Sequence, residues 1–259
     1  MKKVIAISSV LLGAIFLAGC GQQPINQTQP TVPTPASQNS TTNQPSTASV
    51  KNKIAADFVC GTSQTKDADG NTYGTVLIGT QCWMTSNMNL GEQIDGTTEP
   101  TDNQKIEKWC YDNEESNCDS YGGLYSWDEA MQYSTKEGAQ GICPSGWHIP
   151  TDAEQYILEN YLEDLGETCD AISDGTSDCA YASTKLKSGG SSGFEGLLAG
   201  FRSTGSTDGP FYVLGSIAYF WSSSQSGTSA WHRSLGSSDY VFRYLGAKAN
   251  GFSVRCLKD

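Results

Sequence analysis

Cys143-Pro144-Ser145-Gly146-Trp147-His148-Ile149-Pro150-Thr151-Asp152-Ala153-Glu154 is the stretch that decides the fold. Trp147-His148-Ile149 is an apolar run that reads as a strand and stops at Pro150, which has no N–H to continue a ladder. In that run His148 is expected to be a packed core imidazole rather than a general base. Thr151 followed three residues later by Glu154 is a capping box, so a helix starts there. Its apolar stripe is Ile157, Leu158, Tyr161, Leu162 and Leu165, while Asp152, Glu154, Glu159, Glu163 and Asp164 are expected to face water. Acids in the first turn also suit the positive end of the helix dipole.

Working outward, Ser126-Trp127-Asp128-Glu129 repeats the capping pattern upstream, with Trp127, Ala130 and Met131 on one face. Downstream of Cys179 the pattern turns to strands, expected at Leu197–Arg202, Ala218–Ser223, Ala230–Leu235, Tyr240–Tyr244 and Phe252–Leu257, with Gly, Ser and Asp turns between them. Ser188-Gly189-Gly190-Ser191-Ser192-Gly193 reads as a flexible connection rather than a phosphate loop, since no strand precedes it. Two helices followed by a short-stranded antiparallel sheet is an α+β layout. Further upstream, Lys66 to Tyr73 has turn chemistry around Gly70, and Thr75-Val76-Leu77-Ile78 is expected to continue that hairpin. Asp67-Ala68-Asp69-Gly70-Asn71 is not a calcium loop, because counting from Asp67 places Thr72 and Ile78 where Gly and Glu are required.

Nine cysteines are present, and Cys20 stands apart from the other eight. An even set in an exported chain reads as a disulfide framework. Eight cysteines allow about 105 connectivities, and spacing suggests Cys60–Cys82, Cys110–Cys118, Cys143–Cys256 and Cys169–Cys179. Cys110 and Cys118 bracket what reads as a polar loop. A zinc site is not expected, because there is no Cys-x-x-Cys pair and His148 and His232 are the two histidines. Nothing in the pattern calls for a cofactor.

The chain has 259 residues and a formal charge of −12. That acidity argues against nucleic acid or a polybasic membrane contact. Lys2 and Lys3 precede an apolar run from Val4 to Ala18, too short to span a bilayer and suited to an export signal. It ends Leu17-Ala18-Gly19-Cys20, which resembles the bacterial lipobox. The resemblance implies that residues 1–19 are removed and that Cys20 carries the lipid that ties the chain to a membrane. Gly21 after the Cys points to the outer membrane or cell surface of a bacterial envelope. From Gly21 to Val50, 24 of 30 residues are Pro, Thr, Gln, Ser or Asn. Residues 20–54 are therefore expected to form a disordered tether, and residues 55–259 the folded domain.

Several strings stand in a familiar order: Ile78-Gly79-Thr80-Gln81-Cys82-Trp83-Met84, Gly123-Leu124-Tyr125-Ser126-Trp127-Asp128-Glu129-Ala130, the opening stretch, Ala199-Gly200-Phe201-Arg202, Phe220-Trp221-Ser222-Ser223-Ser224, and Gly251-Phe252-Ser253-Val254-Arg255-Cys256. Together they resemble the Fibrobacter succinogenes major paralogous domain, a family found on bacterial surface lipoproteins, over about residues 57 to 259. Gln155 stands where that family usually has Trp. The resemblance implies a C-type-lectin-like fold and no particular activity. The helix strings are also similar to those of formylglycine-generating enzymes, which implies an alternative oxidoreductase reading that needs reduced cysteines and copper.

Neither histidine lies near a nucleophile signature. Calcium-dependent sugar binding is not expected either, since Trp221-Ser222-Ser223 lacks the carboxamide and carboxylate that such lectins use and Glu99-Pro100 comes too early. The expected function is a non-enzymatic, surface-displayed binding module for a glycan or protein, in which a rigid scaffold presents loops. Its candidate contacts are Asp208, Tyr212, Trp231, His232, Arg233, Asp239, Tyr240 and Arg243, because Tyr, Trp and Arg carry much binding energy in small area. Trp221 is expected in the core. A structural envelope protein without a ligand is the remaining alternative.

Overall fold

A computed structural model describes residues 57–163, 169, 179, 181–205 and 210–259, and there the chain begins with two consecutive hairpins. β1 (Thr65–Lys66) pairs with β2 (Thr72–Tyr73) across a turn in which Gly70 has φ +89°. Asp67 closes that turn. Its carboxylate accepts from the backbone N–H of Asp69 (3.0 Å) and Asn71 (2.9 Å) and from the Tyr73 hydroxyl (2.6 Å). β3 (Thr75–Ile78) does not extend this hairpin as expected; it pairs with β4 (Gln81–Met84) in a hairpin of its own. The break is at Gly74, where a Cβ would meet the Thr85 hydroxyl at 2.7 Å. The signal stretch, Cys20 and the 20–54 tether lie outside the described residues.

β5 (Glu92–Gln93) and β6 (Glu107–Lys108) form a short parallel pair, so the sheets are not wholly antiparallel. Between Cys110 and Cys118 the expected polar loop is instead a 3-10 turn (Tyr111–Asn113) leading into α1 (Glu115–Tyr121), which stops at Gly122 with φ +81°. Four residues, Trp127–Ala130, make α2. The Ser126 hydroxyl caps it by accepting from Glu129 N, and it ends early because Gln132 and Tyr133 take positive φ. β7 (Trp147–His148) then leads into α3 (Asp152–Leu162), where both bonds of the Thr151–Glu154 capping box are formed. A further short helix, α4 (Ala182–Leu186), had no sequence signal.

The later strands are mostly where the alternation put them, with shifted ends. The Leu197–Arg202 strand shrinks to β8 (Phe201–Arg202), paired with β9 (Phe211–Tyr212). β10 (Ala218–Ser226), β11 (Ser229–Leu235) and β12 (Phe242–Ala247) form a three-stranded antiparallel sheet. Of the last expected strand only β13 (Leu257–Lys258) is regular, while Phe252 and Ser253 make single bridges to Tyr125 and Phe220. β13 inserts between β4 and β7, giving a second sheet in the order β3-β4-β13-β7. The start and end of the folded region are thereby joined in one sheet.

Four disulfides are present: Cys60–Cys82, Cys110–Cys118, Cys143–Cys256 and Cys169–Cys179. One core gathers Tyr125, Trp127, Trp147, Trp221 and Phe252 between the two sheets, and a second gathers Trp83, Leu158, Leu162, Phe194, Phe220 and Leu235 beneath α3. Trp221 is fully buried, and its indole N–H donates to Tyr125 O at 2.9 Å.

The inward face of α3 departs from the expected stripe. Leu158 and Leu162 are buried, but Ile157 and Tyr161 stand 49% and 62% exposed. Gln155 and Glu159 take the inward positions at 4% exposure each. A buried carboxylate needs a partner, and Glu159 has one in Arg233 of β11, at 2.6 Å. Gln155, at the position where the family usually has Trp, donates to Trp221 O at 3.1 Å. Leu165 and Asp164 lie outside the described residues.

Candidate functional site: a polar cleft at a bulge

β10 and β11 pair regularly from Ala218↔Leu235 to Trp221↔His232, lose register, and resume at Gln225↔Ala230. Such bulges bend a strand and re-aim its side chains. Here three serines occupy the interval, and each ties the bend to a different segment. Ser222 Oγ donates to Trp231 O (2.9 Å), and Ser223 Oγ accepts from Gly138 N (2.9 Å). Ser224 Oγ accepts from Asp152 N (2.9 Å) and donates to Glu137. Serine suits these positions because a short hydroxyl both donates and accepts within reach of nearby backbone. The result is an open cleft of about 430 Å³ between the bulge, the 135–138 segment and the start of α3, lined among others by Thr135, Glu137, Asp152, Ser224, Gln225 and Trp231.

Its charge is set from behind. Arg233 bonds Asp152 (2.7 Å) as well as Glu159, and Arg243 forks onto both Asp152 oxygens (2.9 and 2.7 Å). Two carboxylates thus face two guanidinia in a nearly dry cluster. Burial works against the charge on Asp152, but the hydrogen bonds from Arg243 and the charge of Arg233 outweigh it and hold the carboxyl below its ordinary value. Glu159 is pushed up by burial, against the pull of Arg233. The Arg243 guanidinium also lies over the Trp231 ring, 3.3 Å from its centroid, and fixes the indole that borders the cleft.

Of the candidate contacts, Trp231 alone lines this cleft. Arg233 and Arg243 support it through Asp152. His232 points to the other face of β11, as neighbouring strand residues must. There it is 5% exposed among Phe252, Tyr219 and Trp221, and burial, helped by the charge of Arg233, drives its pKa down to about 3. It is therefore a neutral core residue. Asp239 accepts from the Thr184 hydroxyl (2.7 Å), Tyr240 is exposed, and Tyr212 stacks on Phe201; none of the three lines the cleft. Asp208 lies outside the described residues. The sequence reading missed Glu137, Asp152, Ser224 and Gln225. A run of three serines inside a strand pattern was the available signal, since it weakens ladder propensity where a bulge falls.

His148 also departs from its expected place. It is not a core imidazole but a bridge, with Nδ1 2.7 Å from Asp259 and Nε2 3.2 Å from Glu154. Those carboxylates, the hydrogen bond to Glu154 foremost, raise its pKa above the ordinary value. Burial opposes the charge on Glu154, yet the His148 ring and the Thr151 N–H and hydroxyl together take it down to about 2. The raised histidine adds stability that is complete below about pH 6.5 and is lost as pH rises through its folded value. The lowered glutamate adds stability present above about pH 4.5 and lost as pH falls toward 2. Melting temperature should therefore be highest between these limits and decline on both sides. His148→Gln should flatten the alkaline decline; an unchanged profile in that variant would show that the bridge does not govern it.

Chemically the cleft offers hydroxyls, carboxylates, an amide and an indole ring. Ser224 is bonded to a carboxylate and a backbone N–H, and Cys256 is bridged to Cys143. Among the described residues no group of three or more His, Cys, Asp or Glu side chains converges as a metal would need. The family model of the Fibrobacter succinogenes major domain matches residues 76–258. The chain belongs to this family. In this member of the Fibrobacter succinogenes major domain family the match runs from β3 to β13 and takes in the bulge, the 135–138 segment and the Arg233–Asp152–Arg243 cluster. Searches of curated proteins and of solved structures give no match.

Proposed function

We propose that this protein is a lipoprotein, anchored through Cys20 to a bacterial envelope, whose domain has a C-type-lectin-like fold and binds hydroxyl-rich ligands such as glycans in the Trp231 cleft. The observation that carries this is the cleft itself: an indole held by a guanidinium beside the carboxylate of Glu137, the Gln225 amide and the Ser224 hydroxyl. Sugars are recognised by an apolar ring face together with directed hydrogen bonds, and a few fixed polar groups on a rigid scaffold supply those. The fold reading is supported by the motif order, by the sheet that joins β3 and β4 to the last strand, and by α3 set against a three-stranded sheet. The bridged state of Cys256 works against thiol-dependent chemistry of the formylglycine-generating kind.

The test uses cells expressing the full chain and a panel of beads coated with neutral glycans. Parent cells should retain at least one glycan. Trp231→Ala should weaken retention about thirtyfold, as loss of a central aromatic anchor does. Cys20→Ala should shift the chain out of the membrane fraction and abolish retention. Retention of no glycan, or turnover of one by the purified chain, would overturn the reading.

A further inference from the structure

We propose that a second site, centred on Lys187 and separate from the Trp231 cleft, binds an acidic glycan. Two open clefts of about 690 and 770 Å³ meet at Lys187, Leu198 and Gly215. Each falls in the range of about 300–1,000 Å³ usual for ligand sites. In a chain with 28 acids and 16 bases, no described Asp or Glu lines either one, whereas Lys185 and Lys187 both do. An anion near this acidic protein is repelled over most of the surface, and a cation in a cleft with low-dielectric walls focuses the opposite field.

Lys187 is built to present its charge. It directly follows α4, where the backbone turns extended, and a single backbone acceptor, Gly236 O at 2.8 Å, holds its ammonium. An ammonium has three donors, so two remain for a ligand. Two acids stand at the margin of the first cleft, each held by its lining residues and neither lining it: Glu195 accepts from Ser188 Oγ (2.8 Å) and Gly189 N (2.9 Å), and Asp239 from Thr184. The 188–193 segment, expected to be a flexible connection, is a bonded turn, with Gly190 N donating to Lys187 O and Ser192 Oγ to Lys185 O. It stands as one wall of the groove.

The remaining lining selects a sugar over a peptide. Ser191 and Ser237 put exposed hydroxyls on the walls, while Leu198, Ile217 and Phe242 supply apolar surface on which C–H faces of sugar rings can lie. The walls at 188–191 and 236–238 are turns, so over most of the groove a peptide finds no strand edge to extend. A carboxylate on the ring, as in a uronic acid, would meet Lys187.

The test titrates the full chain in detergent with oligogalacturonate, with a neutral galactan of equal length, and with polyglutamate. Oligogalacturonate should bind, weaken as salt rises, and outbind both controls at least tenfold. Lys187→Gln should weaken it about tenfold. Ser237→Glu, an exposed change that places an anion in the groove, should weaken it at least as much without moving the melting temperature. Equal binding of polyglutamate would mean an anion site without sugar selectivity and would overturn the glycan assignment. Absence of oligogalacturonate binding, or full binding in both variants, would overturn the site.

Discussion

Replacing both Cys143 and Cys256 with alanine should lower the unfolding free energy by about 4–5 kcal/mol, because the bridge closes a loop of 113 residues. Cross-linking limits the unfolded chain more as the closed loop lengthens. The Cys110–Cys118 pair, separated by 8 residues, should cost about 2.5 kcal/mol on the same argument. The long bridge also joins segments far apart in the chain. Cys143 precedes β7 and Cys256 immediately precedes β13, and these strands pair at Leu257↔His148 and Lys258↔Trp147. Alanine avoids a buried unpaired hydroxyl, since both cysteines sit in the core. Urea unfolding of the two double variants, compared at equal slope, reads the difference. A long-bridge variant no less stable than the short-bridge one would refute the loop-length account.

The other large effect is expected at Arg233. Arg233→Met keeps the unbranched stem of the side chain but leaves Glu159 buried without its guanidinium, and removing one partner of a buried pair costs about 3–5 kcal/mol. Burial already pushes the Glu159 carboxyl up. Without Arg233 it should rise further, so the variant holds a proton that the unfolded chain gives up. Stability lost this way grows as pH rises, and the deficit should be larger at pH 8 than at pH 5. Adding Glu159→Gln removes the buried charge and should recover much of the loss at pH 8. A cost below about 1 kcal/mol for Arg233→Met, or a double variant no better than the single, would show that the pair is not what holds α3 to β11. The same experiment reports on the cleft, because Arg233 and Arg243 together place Asp152.

These two expectations mark the boundary between local and long-range information in this chain. The Thr151–Glu154 box, the Asp67 turn, and the strands at 218–226 and 229–235 are each made by residues within a few positions of one another. Propensity and spacing therefore carry them, and the short-spaced cysteines are of the same kind. The family is carried by the order of many such strings. α1 and α4 lacked a signal because no side chain caps either. α3 shows where local reasoning stops. Periodicity alone cannot tell that Glu159 belongs inside and Ile157 outside, because the deciding charge arrives from Arg233, 74 residues later.

The sequence by itself determined where α2 and α3 start, roughly where the late strands fall, that sulfur would brace the fold, and which family the chain joins, since all of these rest on short-range chemistry or on motif order. Only the tertiary structure decided that a triple-serine bulge opens a cleft beneath Trp231, that His148 bridges two carboxylates, and that Lys187 stands in a groove lined by no described acid. Each of those depends on desolvation and pairing between groups far apart in the chain, and such energies exist only once the chain has brought the groups together.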